Sequence, residues 1–329
     1  RGTAVRALQR MLPSTATLAS LRTDHPIRWI VGPDDGHTVR DVLARANADA
    51  DALRDGRVFV ALRRARRDDE PVRDGDVVEV APPRPPRADP VRVLAQTSDL
   101  VAVEKPAGVP TIADHAGSAH ALVALAAGVL AVPESALHPT SRLDRDVSGV
   151  VVFARTRAAA QRLARARADG VYERRYVAIA ARAPAAGGGT WDAPIGRARD
   201  PRLRAVGGRE AVAATTRYAI ASRTPRDAVL LGLAPETGRT HQIRVHAAHA
   251  GAPIIGDRTY GGPARLTLPS GRVVEPRRIA LHAARVVVPD EHGGRLSISA
   301  PIPADLADLW SLLGGDSGAW EVAASCALG

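Results

Sequence analysis

The chain has one cysteine, Cys326, so an intrachain disulfide is excluded. Phenylalanine, tyrosine and tryptophan together make up 3% of the residues, too few for an extended surface on which nucleic-acid bases could stack. Long apolar runs are missing as well. The longest, residues 121–132, is interrupted by Gly128 and falls short of the roughly 20 residues that a membrane-spanning helix needs. Residues 1–20 lack the compact apolar stretch and small-residue cleavage site of a secretory signal, and a cytoplasmic protein is expected. Metal chemistry finds no support. His241, His246 and His249 lack the i, i+4 histidine pair of a zinc helix and have no cysteine nearby. Gly187-Gly188-Gly189 is followed by no lysine of a phosphate-binding loop and reads as a hairpin turn. Neither a metal nor a cofactor is expected. Lysine is nearly absent too, since Lys105 is the only one among 45 basic residues.

What remains is 329 residues with 45% apolar content, enough for two domains with real cores. Net charge is +10, which draws polyanions. Nearly all of the basic charge is arginine, whose planar fork matches phosphate and stacks on bases. Residues 1–90 hold 16 basic and 14 acidic side chains, residues 91–329 hold 29 and 21, so the excess sits in the larger C-terminal part.

Residues 1–24 show no amphipathic period and are expected to form a flexible arm. Thr38 can cap a helix carrying Val39, Val42 and Leu43, and a second short helix is expected over residues 48–53, before the turn at Asp55-Gly56. Strands are expected at residues 58–60 and 77–80. The matches Asp55-Gly56-Arg57-Val58-Phe59-Val60 and Asp74-Gly75-Asp76-Val77-Val78-Glu79-Val80 resemble the S4 RNA-binding domain, in which two helices precede such strands; the usual Asn-Gly after the first strand is replaced by arginines 63, 64, 66 and 67 around Ala65. An S4-like unit over 25–81 is therefore expected. Pro82-Pro83-Arg84-Pro85-Pro86-Arg87 favours an extended linker over 82–90. Beyond it, β-rich runs at 100–103, 150–153, 176–180, 229–233 and 285–288 alternate with a few helices, which suggests an α+β domain over 91–313 built on a large mixed, mostly antiparallel sheet. Gly314-Gly315 is expected to open a disordered tail, 314–329.

The densest polar cluster, His138-Pro139-Thr140-Ser141-Arg142-Leu143-Asp144-Arg145-Asp146-Val147-Ser148-Gly149, stands directly before the apolar strand at 150–153. A loop entering a buried strand holds its side chains rigidly at the rim of a sheet. Asp144 is a candidate nucleophile or base, with Arg142 and Arg145 stabilising its negative charge; on local sequence alone a strand-edge salt bridge is the better explanation.

That loop has ordered company: Asp99-Leu100-Val101-Ala102-Val103-Glu104-Lys105-Pro106-Ala107-Gly108-Val109-Pro110-Thr111 before it, then Tyr172-Glu173-Arg174-Arg175-Tyr176-Val177-Ala178 and Glu236-Thr237-Gly238-Arg239-Thr240-His241-Gln242-Ile243-Arg244-Val245-His246. Together these blocks resemble the RluA family of pseudouridine synthases from about residue 91 to residue 303. The resemblance implies the pseudouridine synthase fold, isomerisation of uridine in RNA without a cofactor, and a monomer. It makes Asp144 the catalytic aspartate, Tyr176 the tyrosine against the target uracil and Arg244 the arginine that pairs with the aspartate. Arg142 would occupy the space of the displaced nucleotide, and Arg142, Arg145, Arg239 and Gln242 are the expected RNA contacts. Ser141 and Val147 stand where the family usually has His and Thr.

An ionised Asp144 could attack the ribose C1′, attack the base at C6, or remove the 2′ proton, and the sequence leaves these routes open. A stacked uracil is out of reach, so the nucleotide must be extruded. Arginines 197, 199, 202, 204 and 209 form either a grip on the RNA backbone or a solvated charged loop. An S4-like first domain suits family members that modify large-subunit ribosomal RNA. A tRNA-directed synthase and a catalytically idle RNA-binding or ribosome-assembly protein are the alternatives.

Overall fold

Val58 and Val60 are buried while Phe59 between them is only half so, and Val78 and Val80 repeat the pattern. That two-residue period is what a strand with one covered face requires. In the computed structural model, which describes residues 27–46, 48, 51–61, 63–81, 91–113, 120–267 and 273–325, these strands pair with Val58 opposite Val80 and Val60 opposite Val78. The chain divides into two compact units, Arg1–Ala88 and Asp89–Gly329.

The first unit contains β1 (Ile27–Ile30), α1 (Val39–Arg45), β2 (Val58–Val60), β3 (Arg63–Arg64) and β4 (Val77–Val80), with an antiparallel sheet in the order β1-β4-β2-β3. Thr38 caps α1 as expected. Its hydroxyl accepts from the Asp41 amide at 3.3 Å and the Asp41 carboxylate accepts from the Thr38 amide at 3.0 Å, closing a capping box. Val39 and Val42 then meet Val58, Val78 and Val80 in a small core. The second helix expected over 48–53 is not formed by the residues described there: Asp51 to Gly56 make a hydrogen-bonded turn, with Asp55 N donating to Asp51 O at 2.8 Å. Strand β1, which pairs with β4, was not anticipated from the sequence. The expected arm over 1–24 and linker over 82–90 lie outside the described residues.

The second unit opens with β5 (Val93–Gln96), β6 (Leu100–Lys105), α2 (Leu122–Leu130), β7 (His138–Pro139), β8 (Ser148–Ala154), α3 (Arg157–Ala168) and β9 (Glu173–Ala180). It continues through β10 (Gly188–Trp191), β11 (Ile195–Arg197), β12 (Arg204–Val206), β13 (Arg209–Val212), β14 (Thr216–Arg223), β15 (Val229–Pro235) and α4 (Gln242–His249). Last come β16 (Leu266–Thr267), β17 (Val273–Val274), β18 (Leu281–Pro289), β19 (Arg295–Ser299), α5 (Ala304–Leu312) and α6 (Ala319–Ser325). A ten-stranded sheet runs β10-β14-β15-β9-β18-β8-β6-β5, with β19 on β18 and β7 on β8. Only the β8–β18 pair is parallel among its described pairings, so the sheet is mixed and mostly antiparallel, as the sequence suggested.

Every residue of β8 and of β15 is buried, which places both strands inside the sheet with both faces covered. Alternation splits their neighbours between two cores. Val101, Val103, Val151 and Phe153 join the larger one. Leu100, Ala102, Val150, Val152 and Ala154 face the other way, against Ala159, Leu163 and Ala166 of α3.

Two expectations need correction. Gly187-Gly188-Gly189 is not a hairpin turn, because Gly188 and Gly189 lie in edge strand β10, opposite Ala219 and Tyr218. Gly314-Gly315 does not open a disordered tail over 314–329. Helix α6 follows, with Trp320 packed edge-on against the fully buried Trp310 at 6.3 Å. Trp310 Nε1 donates to Asp316 O at 2.8 Å, which turns the chain back onto the core. Residues 326–329, Cys326 among them, lie outside the described residues. No helix among the described residues is long and apolar enough to cross a membrane.

Candidate active site

The loop carrying Asp144 lies between β7 and β8, and it is anchored on both sides of that residue. Leu143 and Val147 are buried beneath it. On the upstream side the Leu143 amide and carbonyl both bond the Thr111 hydroxyl at 3.0 Å. On the downstream side the Arg145 carbonyl accepts from Gly108 N at 2.7 Å and from Lys105 Nζ at 2.8 Å. The chain's only lysine is thus fully buried, and it also donates to the carbonyls of Val109 at 2.6 Å and Pro106 at 3.1 Å. Where the loop enters β8, Gly149 has φ +126, and a Cβ there would lie 2.2 Å from Ala283 O of β18. Only glycine permits that approach. Beside it the Ser148 hydroxyl bonds His282 Nδ1 at 2.7 Å and accepts from Arg278 Nη1 at 2.6 Å. Burial, with Arg278 nearby, pulls the His282 imidazole down to about 3, so it is neutral at physiological pH.

The partner of Asp144 comes from α4. Arg244 Nη1 donates to Asp144 Oδ2 at 2.8 Å, while its Nε and Nη2 donate to the two oxygens of Asp257 at 2.7 and 2.9 Å. The Tyr260 ring covers the guanidinium at 4.9 Å. Burial alone would lower the pKa of Arg244, but bonding to Asp257 and Asp144 outweighs it and raises it. Asp257 is 1% exposed and Asp144 is only partly covered, so the guanidinium is clamped from behind and presents its remaining edge to Asp144.

His241, immediately before α4, holds a left-handed backbone with φ 58, a conformation that costs a non-glycine residue roughly 1–2 kcal/mol. Its Nδ1 bonds the Tyr260 hydroxyl at 2.7 Å and its Nε2 stands 3.9 Å from Asp144 Oδ2. Burial pushes its pKa down against the opposing pull of Asp144, leaving a neutral ring beside the carboxylate at neutral pH. Tyr176, on β9, is 7% exposed, and burial raises its phenol pKa, so it offers a flat ring and a proton donor.

Asp144, Arg244, His241 and Tyr176 line one cavity of about 960 Å³, at the upper end of the roughly 300–1,000 Å³ usual for ligand pockets. Asp144, Tyr176, Arg244, Arg142, Arg145 and Arg239 all line it, the last three as exposed side chains at its rim. Gln242 also borders it, but the expected RNA contact is corrected by its bonding. Its Oε1 accepts from the Thr237 hydroxyl at 2.7 Å and the Arg239 amide at 3.0 Å, and its Nε2 donates to Thr215 O at 2.8 Å and to Thr216 Oγ1 at 2.9 Å. An amide so occupied shapes the Thr237-Gly238-Arg239 loop and has no donor or acceptor left for RNA.

Asp257, Tyr260 and His241 were missed as site residues. The usable signal was that Asp257 and Tyr260 lie in a glycine-bounded stretch, 251–262, inside the family resemblance. The arginines at 197–209 lie on a three-stranded sheet, β12-β11-β13, and its connecting turns. Among the described residues no cluster of three or more His, Cys, Asp or Glu could hold a metal.

Known proteins resemble this chain in sequence and in fold. Residues 99–249 match the family model described as RNA pseudouridylate synthase. The ribosomal large subunit pseudouridine synthase D of Xanthomonas campestris pv. campestris is 38% identical over 282 residues, covering 81% of this chain and 82% of that protein. An uncharacterized RNA pseudouridine synthase of Bacillus subtilis is 34% identical, covering 66% and 70%. The solved structure of human RNA Pseudouridylate Synthase Domain Containing 4 superposes with TM-score 0.55 at 26% identity, covering 68% of this chain and 92% of that one. The fold and the relatives define an RNA-modifying isomerase. The chain belongs to the RluA family of RNA pseudouridine synthases.

Proposed function

We propose that Asp144 is the catalytic carboxylate, that Arg244 orients it, and that Tyr176 lies against the uracil of an extruded uridine. The observation that carries the reading is the relay from buried Asp257 through Arg244 to Asp144 Oδ2. Oδ2 is held by Arg244, while Oδ1 has no hydrogen-bond donor among the described residues and is the oxygen left for the substrate. Conversion of uridine to pseudouridine breaks the N1–C1′ bond, turns the base and joins C5 to C1′, with no atom gained or lost. One positioned carboxylate suffices as nucleophile or base for that exchange, and the neutral Tyr176 hydroxyl can donate to the turning base. Arg142, Arg145 and Arg239 at the rim are suited to the displaced strand and its phosphates.

The RNA we assign is large-subunit ribosomal RNA, on the support of relatives that bear that name. The first unit is assigned as an S4-like RNA contact on the strength of α1, the Asp55-Gly56 turn and strands β2 and β4. We take the protein to act as a cytoplasmic monomer. The test is to map pseudouridines in the RNA of a strain carrying Asp144→Ala beside its parent. Loss of large-subunit sites is expected; loss confined to tRNA would redirect the target, and identical maps would defeat the catalytic assignment.

A further inference from the structure

Strand alternation puts Arg174 on the same face of β9 as Tyr176, so this arginine enters the cavity wall beside the tyrosine. Arg167, from the last turn of α3, reaches the same wall. Their guanidiniums converge at Gly238: a Cβ built there would lie 2.7 Å from Arg167 Nη2 and 3.3 Å from Arg174 Nη1. Both side chains are partly buried, and neither forms an ion pair with a carboxylate of the described residues. Carbonyls hold them instead. Arg167 Nη1 donates to Thr140 O, and Arg174 Nη2 donates to Pro235 O and Thr237 O, each at 2.9 Å. Arg174 Nε is buried with no partner.

Two like charges set side by side and partly desolvated repel each other. Burial and the neighbouring Arg174 accordingly lower the pKa of Arg167, although a guanidinium stays charged at any working pH. A staple between the Asp144 loop and the Thr237 loop would need only one of these charges. An anion shared between them removes the repulsion and uses the idle N–H groups. Since the cavity also holds Asp144, and the substrate is a polyanion with a phosphate on each side of every nucleotide, the ligand chemistry follows from the site. We infer that Arg167 and Arg174, with the bare backbone of Gly238, form a subsite for one backbone phosphate flanking the extruded uridine. This inference rests on the cavity around Asp144 being where that nucleotide binds.

The experiment measures binding of the full chain to an RNA fragment that the parent modifies, made with ordinary phosphates or with a neutral methylphosphonate immediately 5′ or 3′ of the target uridine. Arg167→Gln and Arg174→Gln should each weaken binding of the ordinary RNA about 10-fold or more, as expected for loss of a charge-assisted contact, and each should lower the slope of log affinity against log salt by about 1. One of the two methylphosphonate RNAs should bind the parent comparably weakly and bind the variants no worse than the parent. Losses that multiply at both linkages, or ordinary binding left intact by both substitutions, would overturn the subsite. Arg167→Lys and Arg174→Lys separate charge from folding: they should keep much of the discrimination between the charged and the neutral linkage, and its loss with unchanged thermal unfolding would count against the proposal. Because binding is read and not turnover, failure of the Asp144 assignment shows separately, as an Asp144→Asn variant that still makes pseudouridine.

Discussion

Two arginine–aspartate pairs in the second unit have nearly the same geometry and opposite circumstances. Arg244 meets Asp144 and Asp257 at 2.7–2.9 Å with 7% of its side chain exposed. Arg202 meets Asp200 at 2.7 Å with 86% exposed. The carboxylate of Asp200 is drawn down to about 2, chiefly by the bond from Arg202, yet solvent screens the contact from every side. The distance is therefore no guide to what a pair does. Burial turns the first into a rigid mount for a carboxylate that lines the cavity, and exposure leaves the second as a solvated surface contact.

The comparison breaks most visibly at Arg244. Substitution by Met leaves Asp257 buried without its partner, and a loss of about 3–5 kcal/mol in urea unfolding is expected, together with loss of pseudouridine formation. Next in size is the acid response at His282. The unfolded imidazole binds its proton near 6.5 and the buried one only near 3, so stability is intact above pH 6.5 and falls as pH drops towards 3. The accumulated loss is on the order of 4 kcal/mol at the acid end, and His282→Asn should flatten that part of the curve of unfolding midpoint against pH. Removing the cap of α1 by Thr38→Ala should cost about 1 kcal/mol, read as faster hydrogen exchange of α1 amides in the full chain. Arg202→Ala should leave the unfolding midpoint unchanged within error at 0.15 M salt, and a large shift there would erase the contrast with Arg244.

Much of this was legible from residues alone, for identifiable reasons. Residues 58–60 and 150–153 are β-branched or aromatic runs that each follow shortly after a glycine, Gly56 and Gly149, so local pattern and tertiary burial agree. The site was legible through ordered blocks, which is why the residues paired at 2.8 Å, Asp144 and Arg244, could be named although 100 positions separate them. Asp257 was not, because nothing in a short glycine-bounded loop says that its carboxylate will be buried against an arginine 13 residues earlier. Helix α6 was missed for a similar reason. Its sequence, Ala-Trp-Glu-Val-Ala-Ala-Ser, follows glycines and an aspartate, and its order comes from packing Trp320 against Trp310. Gln242 departs in the other direction: its place in the motif suggests a ligand contact, whereas its amide is saturated within the loop.

We hold that a carboxylate positioned by Arg244, itself clamped by Asp257, performs the isomerisation. Single-turnover conversion of a saturating RNA substrate by Asp144→Asn, an almost isosteric change, tests it most directly. Unchanged RNA binding with pseudouridine formation slowed by about 10³-fold or more is expected. Conversion at the parental rate would contradict the account.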